Sequence, residues 1–259
     1  ISFFEFDRVA GKWNFLGLGN YKEILSDKTF WSAIVVTAVM VGVALIVEVI
    51  AGVSLAIFFG QKLKGSKFVR AILITPMILN PVVVGLMWRA LLNPQWGLFN
   101  WFIGLIGIDN PPIWLADPKW TLWTLIFVDV WQWTPFVTLI LIAGMSSLPS
   151  EPLEAASVDG ANGWQIFRHI SFRLLAPFIG IALVLRTIQA FKTFDSFLIL
   201  TGGGPGDSTS PLNLEIYRVA LQSFRVGYAS SMAIILLAAI SVLTPLLLRI
   251  LGRATQNEE

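Results

Sequence analysis

Asp129, Gln132 and Trp133 stand close together in FVDVWQWTPF, a stretch that is otherwise apolar. On a helix, positions three and four apart share a face, so this spacing presents a carboxylate, an amide and an aromatic ring on neighbouring turns. Such a set suits a sugar, whose hydroxyls bond to Asp and Gln while the apolar face of its ring stacks on indole. It equally suits a hydrogen bond between two helices, and both readings stand. Further along, Gln189, Lys192 and Ser196 form a second polar stripe, and Lys192 and Asp195 have the spacing of an ion pair. That pair is either structural or part of a solute pathway. Glu48 and Arg89 read as contacts inside a helix bundle, with Arg89 extending its charge outward.

Other chemistry is excluded. There is no cysteine, hence no disulfide, thiolate metal site or thiol nucleophile. His169 is the sole histidine, and no acid, base and nucleophile converge, so the chain is not expected to be an enzyme or to hold a metal or cofactor. TGGGPGD from Thr201 lacks the Gly-Lys-Ser/Thr of a phosphate loop and reads as a tight turn. The net charge is +2 with basic residues scattered, which argues against nucleic acid as a partner.

Ionisable groups in apolar runs need elements that can hold them. Of the 259 residues 56% are hydrophobic and 13% charged, a balance suited to the lipid bilayer. A spanning helix takes roughly 20 apolar residues, each adding about 1.5 Å across a core of about 30 Å. Five stretches qualify: 30–59, 68–92, 121–145, 174–200 and 229–248. The fourth, holding Arg186, Lys192 and Asp195, is the polar outlier. Pro76, Pro81, Pro135, Pro177 and Pro245 lie in or at the ends of these spans, where kinks need protein-lined surroundings. The expected fold is all-α, a polytopic membrane helix bundle forming a single transmembrane domain over 1–259. Residues 1–6 read as the end of an apolar segment, so a preceding span is expected and six in total.

Eight of the 11 tryptophans fall between Trp88 and Trp133. An aromatic belt at the membrane boundary accounts for most of them, with sugar stacking as the alternative for Trp131 and Trp133, which lie deeper. Orientation follows the excess of basic residues in short cytoplasmic loops. Lys62, Lys64, Lys67 and Arg70 place 61–70 inside, whereas 93–120 has Lys119 against Asp109 and Asp117. Alternation then puts 146–173 in the cytoplasm. The basic residues Arg8, Lys12, Lys22 and Lys28 run against this assignment.

The loop 146–173 reads SSLPSEPLEAASVDGANGWQIFRHISFR, longer than a turn between spans requires. It predicts two short helices. Ser150 is placed to cap the first, with Pro152 in its first turn and Glu151 and Glu154 near its positive end. Gly160 ends that helix and Asn162 caps the second, on which Trp164, Phe167 and Ile170 form an apolar stripe. The stripe needs a cover, either the membrane surface and the chain's own helix ends or the groove of a partner protein.

Glu154-Ala155-Ala156 followed by Gly160 and Ile170 resembles the EAA loop of ABC importer permeases, and EAASVDGANGWQIF is similar to the carbohydrate-uptake branch. Matching features run along nearly the whole chain: Asn20-Tyr21, MWRALLNPQWGLFN from Met87, FKTFDSFLILTGGGP from Phe191 and EIYRVALQSFRVGYASSMA from Glu215. The resemblance implies the type I ABC importer transmembrane fold in a prokaryotic inner membrane. It implies a cytoplasmic loop in which Glu154, Ala155, Ala156, Asp159, Gly160 and Phe167 dock on an ATPase. It also implies a second homologous permease, two ABC ATPase subunits that use ATP and Mg, and an extracytoplasmic solute-binding protein. The solute is a carbohydrate, glycoside or polyol, with Asp129, Gln132, Trp133, Gln189, Lys192 and Asp195 on its pathway. One departure is local: the family usually closes this loop with Leu-Pro, where the chain has Phe172 and Arg173. The rival readings are an autonomous secondary transporter or channel, and a membrane scaffold that moves nothing.

Overall fold

The computed structural model describes residues 1–7, 11–60, 66–108, 110–206 and 208–256. Lys62, Lys64, Arg8 and Asp109, used above to orient the chain, lie outside the described residues. The chain opens with strands β1 (Phe4–Asp7) and β2 (Lys12–Phe15), paired antiparallel. This corrects the reading of 1–6 as the end of an apolar segment. The apolar residues alternate with period two, and Phe4–Phe15 and Phe6–Trp13 stack as cross-strand pairs at 5.3 and 5.0 Å.

The rest is helical. α1 (Gly19–Ser26), α2 (Lys28–Gly60), α3 (Ser66–Ile78), α4 (Pro81–Leu91), α5 (Leu98–Leu105) and α6 (Thr121–Ser146) come first. There follow α7 (Glu151–Val158), α8 (Gly163–Ile166), α9 (Phe172–Lys192), α10 (Asp195–Leu200), α11 (Leu212–Tyr217) and α12 (Val226–Gln256). A π-helical turn, Phe167–Ser171, joins α8 to α9. Among the described residues four stretches are long and apolar enough to cross a membrane: Lys28–Phe59, Thr121–Ser146, Gly163–Lys192 and Val226–Leu247. α3 and α4 supply a fifth if taken as one broken span.

Two expected spans are interrupted. Between α3 and α4, Pro81 cannot continue the helix before it, and Asn80, in extended backbone, accepts from Val82 N at 2.9 Å to start a new one. The fourth expected span, 174–200, ends instead at Lys192. Phe194 leaves helical backbone at φ −147°, and α10 begins afresh. That span also starts earlier than expected, because no breaker separates the capped start at Gly163 from α9.

The chain forms two compact units. The first comprises Ile1–Val43, Asn80–Val128 and Ala190–Val242, with a core of Ile24, Phe30, Ala33, Leu212, Tyr228, Met232 and Leu236. Thr37 Oγ1 accepts from Leu212 N at 2.9 Å, and Asn20 Nδ2 pins the hairpin by donating to Ser2 O and Phe4 O at 2.8 and 3.1 Å. The second comprises Ala44–Leu79, Asp129–Gln189 and Leu243–Glu259. Its core is Ala56, Phe59, Val137, Leu141, Ile142, Leu175, Ile179 and Ala182. Here α6 and α9 approach closely at Gly144, where a Cβ would lie 2.5 Å from the ring of Phe178.

Gly144→Ala should therefore force Phe178 from its place and cost about 1–3 kcal/mol. A thermal unfolding scan of the protein in detergent reads this directly, and an unchanged midpoint would show that the ring has room to yield.

Candidate functional site

Three spans each carry one deeply buried charge, and all three charges meet within the second unit. Glu48 comes from α2, Asp129 from α6 and Arg186 from α9. Arg186 Nε donates to Glu48 Oε2 at 2.7 Å and Nη2 to Glu48 Oε1 at 2.9 Å, a two-pronged pairing. Nη2 also donates to Asp129 Oδ2. The side chains are 0%, 4% and 0% exposed for Glu48, Asp129 and Arg186 respectively. The guanidinium carbon lies 5.4 Å from the centre of the Trp133 ring, a cation–π contact one turn beyond Asp129. Nη1 has no hydrogen-bond acceptor among the described residues.

Asp129, Gln132 and Trp133 thus share a helix face, as their spacing requires, but each has an intramolecular partner. Asp129 is not an open carboxylate, because Arg186 holds it. Gln132, 2% exposed, donates from Nε2 to Leu79 O at 3.3 Å, a carbonyl left over where the helix stops before Pro81. The missed residue was Arg186. The signal for it was present: Glu48 and Asp129 are each the one charge of an apolar span and Arg186 lies deep in another, every one costly unless paired.

The second stripe does not persist. α9 ends at Lys192, Asp195 opens α10, and among the described residues no ion pair joins them. Ser196 is buried on α10, which packs against α4. Arg89, on α4, donates from Nη1 to Ile199 O at 3.2 Å at the C-terminal end of α10. The glycine turn is also structural. Gly202 and Gly203 have φ of 59° and 92°, Arg218 Nη2 donates to Gly202 O, and Thr209 Oγ1 donates to Gly204 O at 2.6 Å.

In the polar loop α7 begins after Ser150, but the serine gives no side-chain cap. Its backbone is already helical (φ −77°, ψ −27°), which corrects the expectation. Gly160 turns the chain with φ 81°. Asn162 then closes a reciprocal cap, accepting from Gln165 N at 2.9 Å while its own N–H donates to Gln165 Oε1 at 2.8 Å. Trp164 and Phe167 stack at 5.7 Å, and Phe167 meets Phe172 at 6.1 Å. Val158 and Trp164 are 87% and 66% exposed. Glu154, Ala155, Asp159 and Gly160 are exposed beside them, with Ala156 and Phe167 half-buried. The second loop helix is not separate, as expected above, but runs through the π turn into α9, the helix that carries Arg186.

The sequence pattern of the family described as "binding-protein-dependent transport system inner membrane component" matches residues 48–257. The chain belongs to this family. It is the permease component of a binding-protein-dependent ABC importer. It is 37% identical over 231 residues to the trehalose/maltose transport system permease protein MalF of Thermococcus litoralis, covering 89% of this chain and 77% of that one. With the trehalose transport system permease protein SugA of Mycobacterium tuberculosis it shares 31% over 245 residues, 95% of this chain and 78% of that one. In fold it is similar to a chain of a bacterial alginate ABC transporter solved in complex with an alginate pentasaccharide-bound periplasmic protein. The TM-score is 0.84 at 24% identity, covering 93% of this chain and 84% of that one. The permease thus has the ABC importer transmembrane fold, and its family is a transport component rather than a catalytic one.

Replacing Arg186 by Met leaves two buried carboxylates without a counter-charge and should cost about 3–5 kcal/mol. Adding Glu48→Met and Asp129→Leu should recover most of that loss, since an apolar replacement of the whole group removes the desolvation cost too. Chemical unfolding of the three proteins in detergent measures both steps, and a single Arg186→Met as stable as the parent would remove the triad from its place in holding the fold.

Proposed function

We propose that this permease imports a carbohydrate or polyol handed over by an extracytoplasmic binding protein, working with a second homologous permease and two ABC ATPases. The names of the relatives, which include trehalose and maltose systems, support the solute class. ATP and Mg act on the ATPase subunits, and the loop 146–173 lies in the cytoplasm against them. There Glu154, Ala155, Ala156, Asp159 and Gly160 form the docking elbow, and Trp164 and Phe167 fill an apolar groove of the ATPase.

One observation carries the coupling. From the exposed loop to Arg186 the chain is an uninterrupted helix, Gly163–Lys192. Over the 23 steps from Gly163 to Arg186, at a rise of about 1.5 Å each, that is a rod of roughly 35 Å. A displacement of the loop by the closing ATPases therefore moves Arg186, and with it the helices that bear Glu48, Asp129 and Trp133. Trp133, half-buried beside the guanidinium, is the aromatic face against which a sugar stacks, and the remaining Arg186 N–H donates to a sugar hydroxyl. Asp129 and Gln132 hold that surface in place. Gln189, about one turn beyond Arg186 on α9, continues the pathway.

Gly160→Asp or Glu154→Lys should leave the spans inserted but abolish ATP-driven uptake and weaken recovery of the ATPase in co-purification; normal uptake with normal ATPase association in both would defeat the docking assignment. Trp133→Ala should keep the ATPase bound and raise the solute concentration for half-maximal uptake about 3–10-fold, the loss of one stacking contact. An unchanged concentration dependence would move the sugar surface elsewhere.

A further inference from the structure

Around the start of α6, the first unit holds an apolar groove of about 260 Å³, walled by Phe99, Ile103, Trp114, Trp120, Trp123 and Phe127. Ring contacts fix the walls: Phe99 with Trp114 at 5.4 Å and Trp114 with Trp120 at 5.8 Å. Two polar groups of the lining are engaged within the protein. Thr124 Oγ1 donates to Trp120 O at 2.9 Å, and Trp114 Nε1 donates to Asn100 Oδ1 at 2.6 Å. A sugar placed here would leave its hydroxyls unmatched, so the ligand chemistry is hydrocarbon.

The surroundings identify which hydrocarbon. Trp123 and Phe127, 53% and 47% exposed, stand one turn apart on a membrane span, so the groove is continuous with that span's lipid-facing surface. α5 contains no charged residue and exposes Trp101, Phe102 and Leu105 by 58%, 60% and 64%. A short aromatic helix of that kind is stable at the boundary between headgroups and acyl chains and unstable in water. Trp120, just before the span, and Trp123, in its first turn, mark the same depth.

We propose that this groove seats one acyl chain of a membrane lipid, which completes the wall that α5 and α6 leave open. The site is independent of the solute carried and of the polar loop.

The test uses the importer assembled with its own partner subunits in nanodiscs of phosphatidylcholine bearing a diazirine at mid-acyl chain, irradiated and mapped by peptide mass spectrometry. Adducts at Ile103 and Trp114 should exceed those from the same lipid with a headgroup diazirine by roughly tenfold. Ile103→Trp, which fills the groove, should lower the Trp114 adduct by a similar factor while leaving labelling of the exposed faces of α12 unchanged. Equal labelling from the two lipids, or none at Trp114, would overturn the proposal. So would a benzophenone side chain at position 103 that captures the partner permease instead of lipid, since the groove would then belong to a protein helix. The wild-type comparison needs no substitution, so a variant that fails to fold does not affect it.

Discussion

A guanidinium in the interior of a membrane protein must find its counter-charge within the protein, and this permease is arranged around that requirement. Arg186 draws Glu48 from α2 and Asp129 from α6 to a single point on α9. Every one of these groups is expensive to bury alone, and the pairing recovers the cost only when the bonds are short and nearly all positions are filled. Geometry of that kind cannot be met by sliding or rotating one helix. The triad thus fixes the register of three spans at once, which apolar side chains packed in hydrocarbon do less decisively because lipid competes on equal terms.

The breaks in the helices obey the same rule applied to the backbone. Where α3 stops, Gln132 donates to the carbonyl of Leu79. At the end of α9, Asn213 Nδ2 donates to Phe191 O at 2.6 Å, and at the end of α10, Arg89 reaches Ile199 O. Of these donors Gln132 had looked, from its spacing, available to a solute, and Arg89 had read as a contact inside the bundle. Interrupted helices in a membrane need such donors, because no water is there to take the freed carbonyls. Part of the polar content of the spans is therefore the consequence of the breaks.

This explains what was legible beforehand. Apolar run length revealed the spans, and Gly160 and Asn162 gave the loop its turn and its second cap, because these are local effects carried by a few neighbouring residues. The stop at Lys192 was not legible, since Thr193 and Phe194 are not breakers and the new start at Asp195 depends on packing against α4. Nor was the short hairpin, whose aromatic residues read as lipid-bound until their cross-strand partners were known. The triad was half legible: Glu48, Asp129 and Arg186 were noticed singly, and only the fold joins them, with Glu48 and Arg186 138 positions apart. The i, i+4 spacing of Asp129 and Trp133 correctly put them on one face but did not identify what that face meets.

Two of the exposed aromatic surfaces differ in what surrounds them, and the surroundings decide their meaning. In the polar loop, Val158 and Trp164 lie among exposed Glu154, Asp159 and Arg168, a mixed surface on which charges can pair across an interface while the rings are buried. Around α5 and the start of α6, the exposed rings of Trp101, Phe102, Trp123 and Phe127 have no charge on α5 and engaged polar groups beneath. A protein groove offers discrete polar partners and rewards the first arrangement; a bilayer offers none and tolerates only the second. Aromatic side chains thus suit the proposed coupling surface at one site and the proposed lipid-facing wall at the other, and it is the charged neighbours, present or absent, that separate the two.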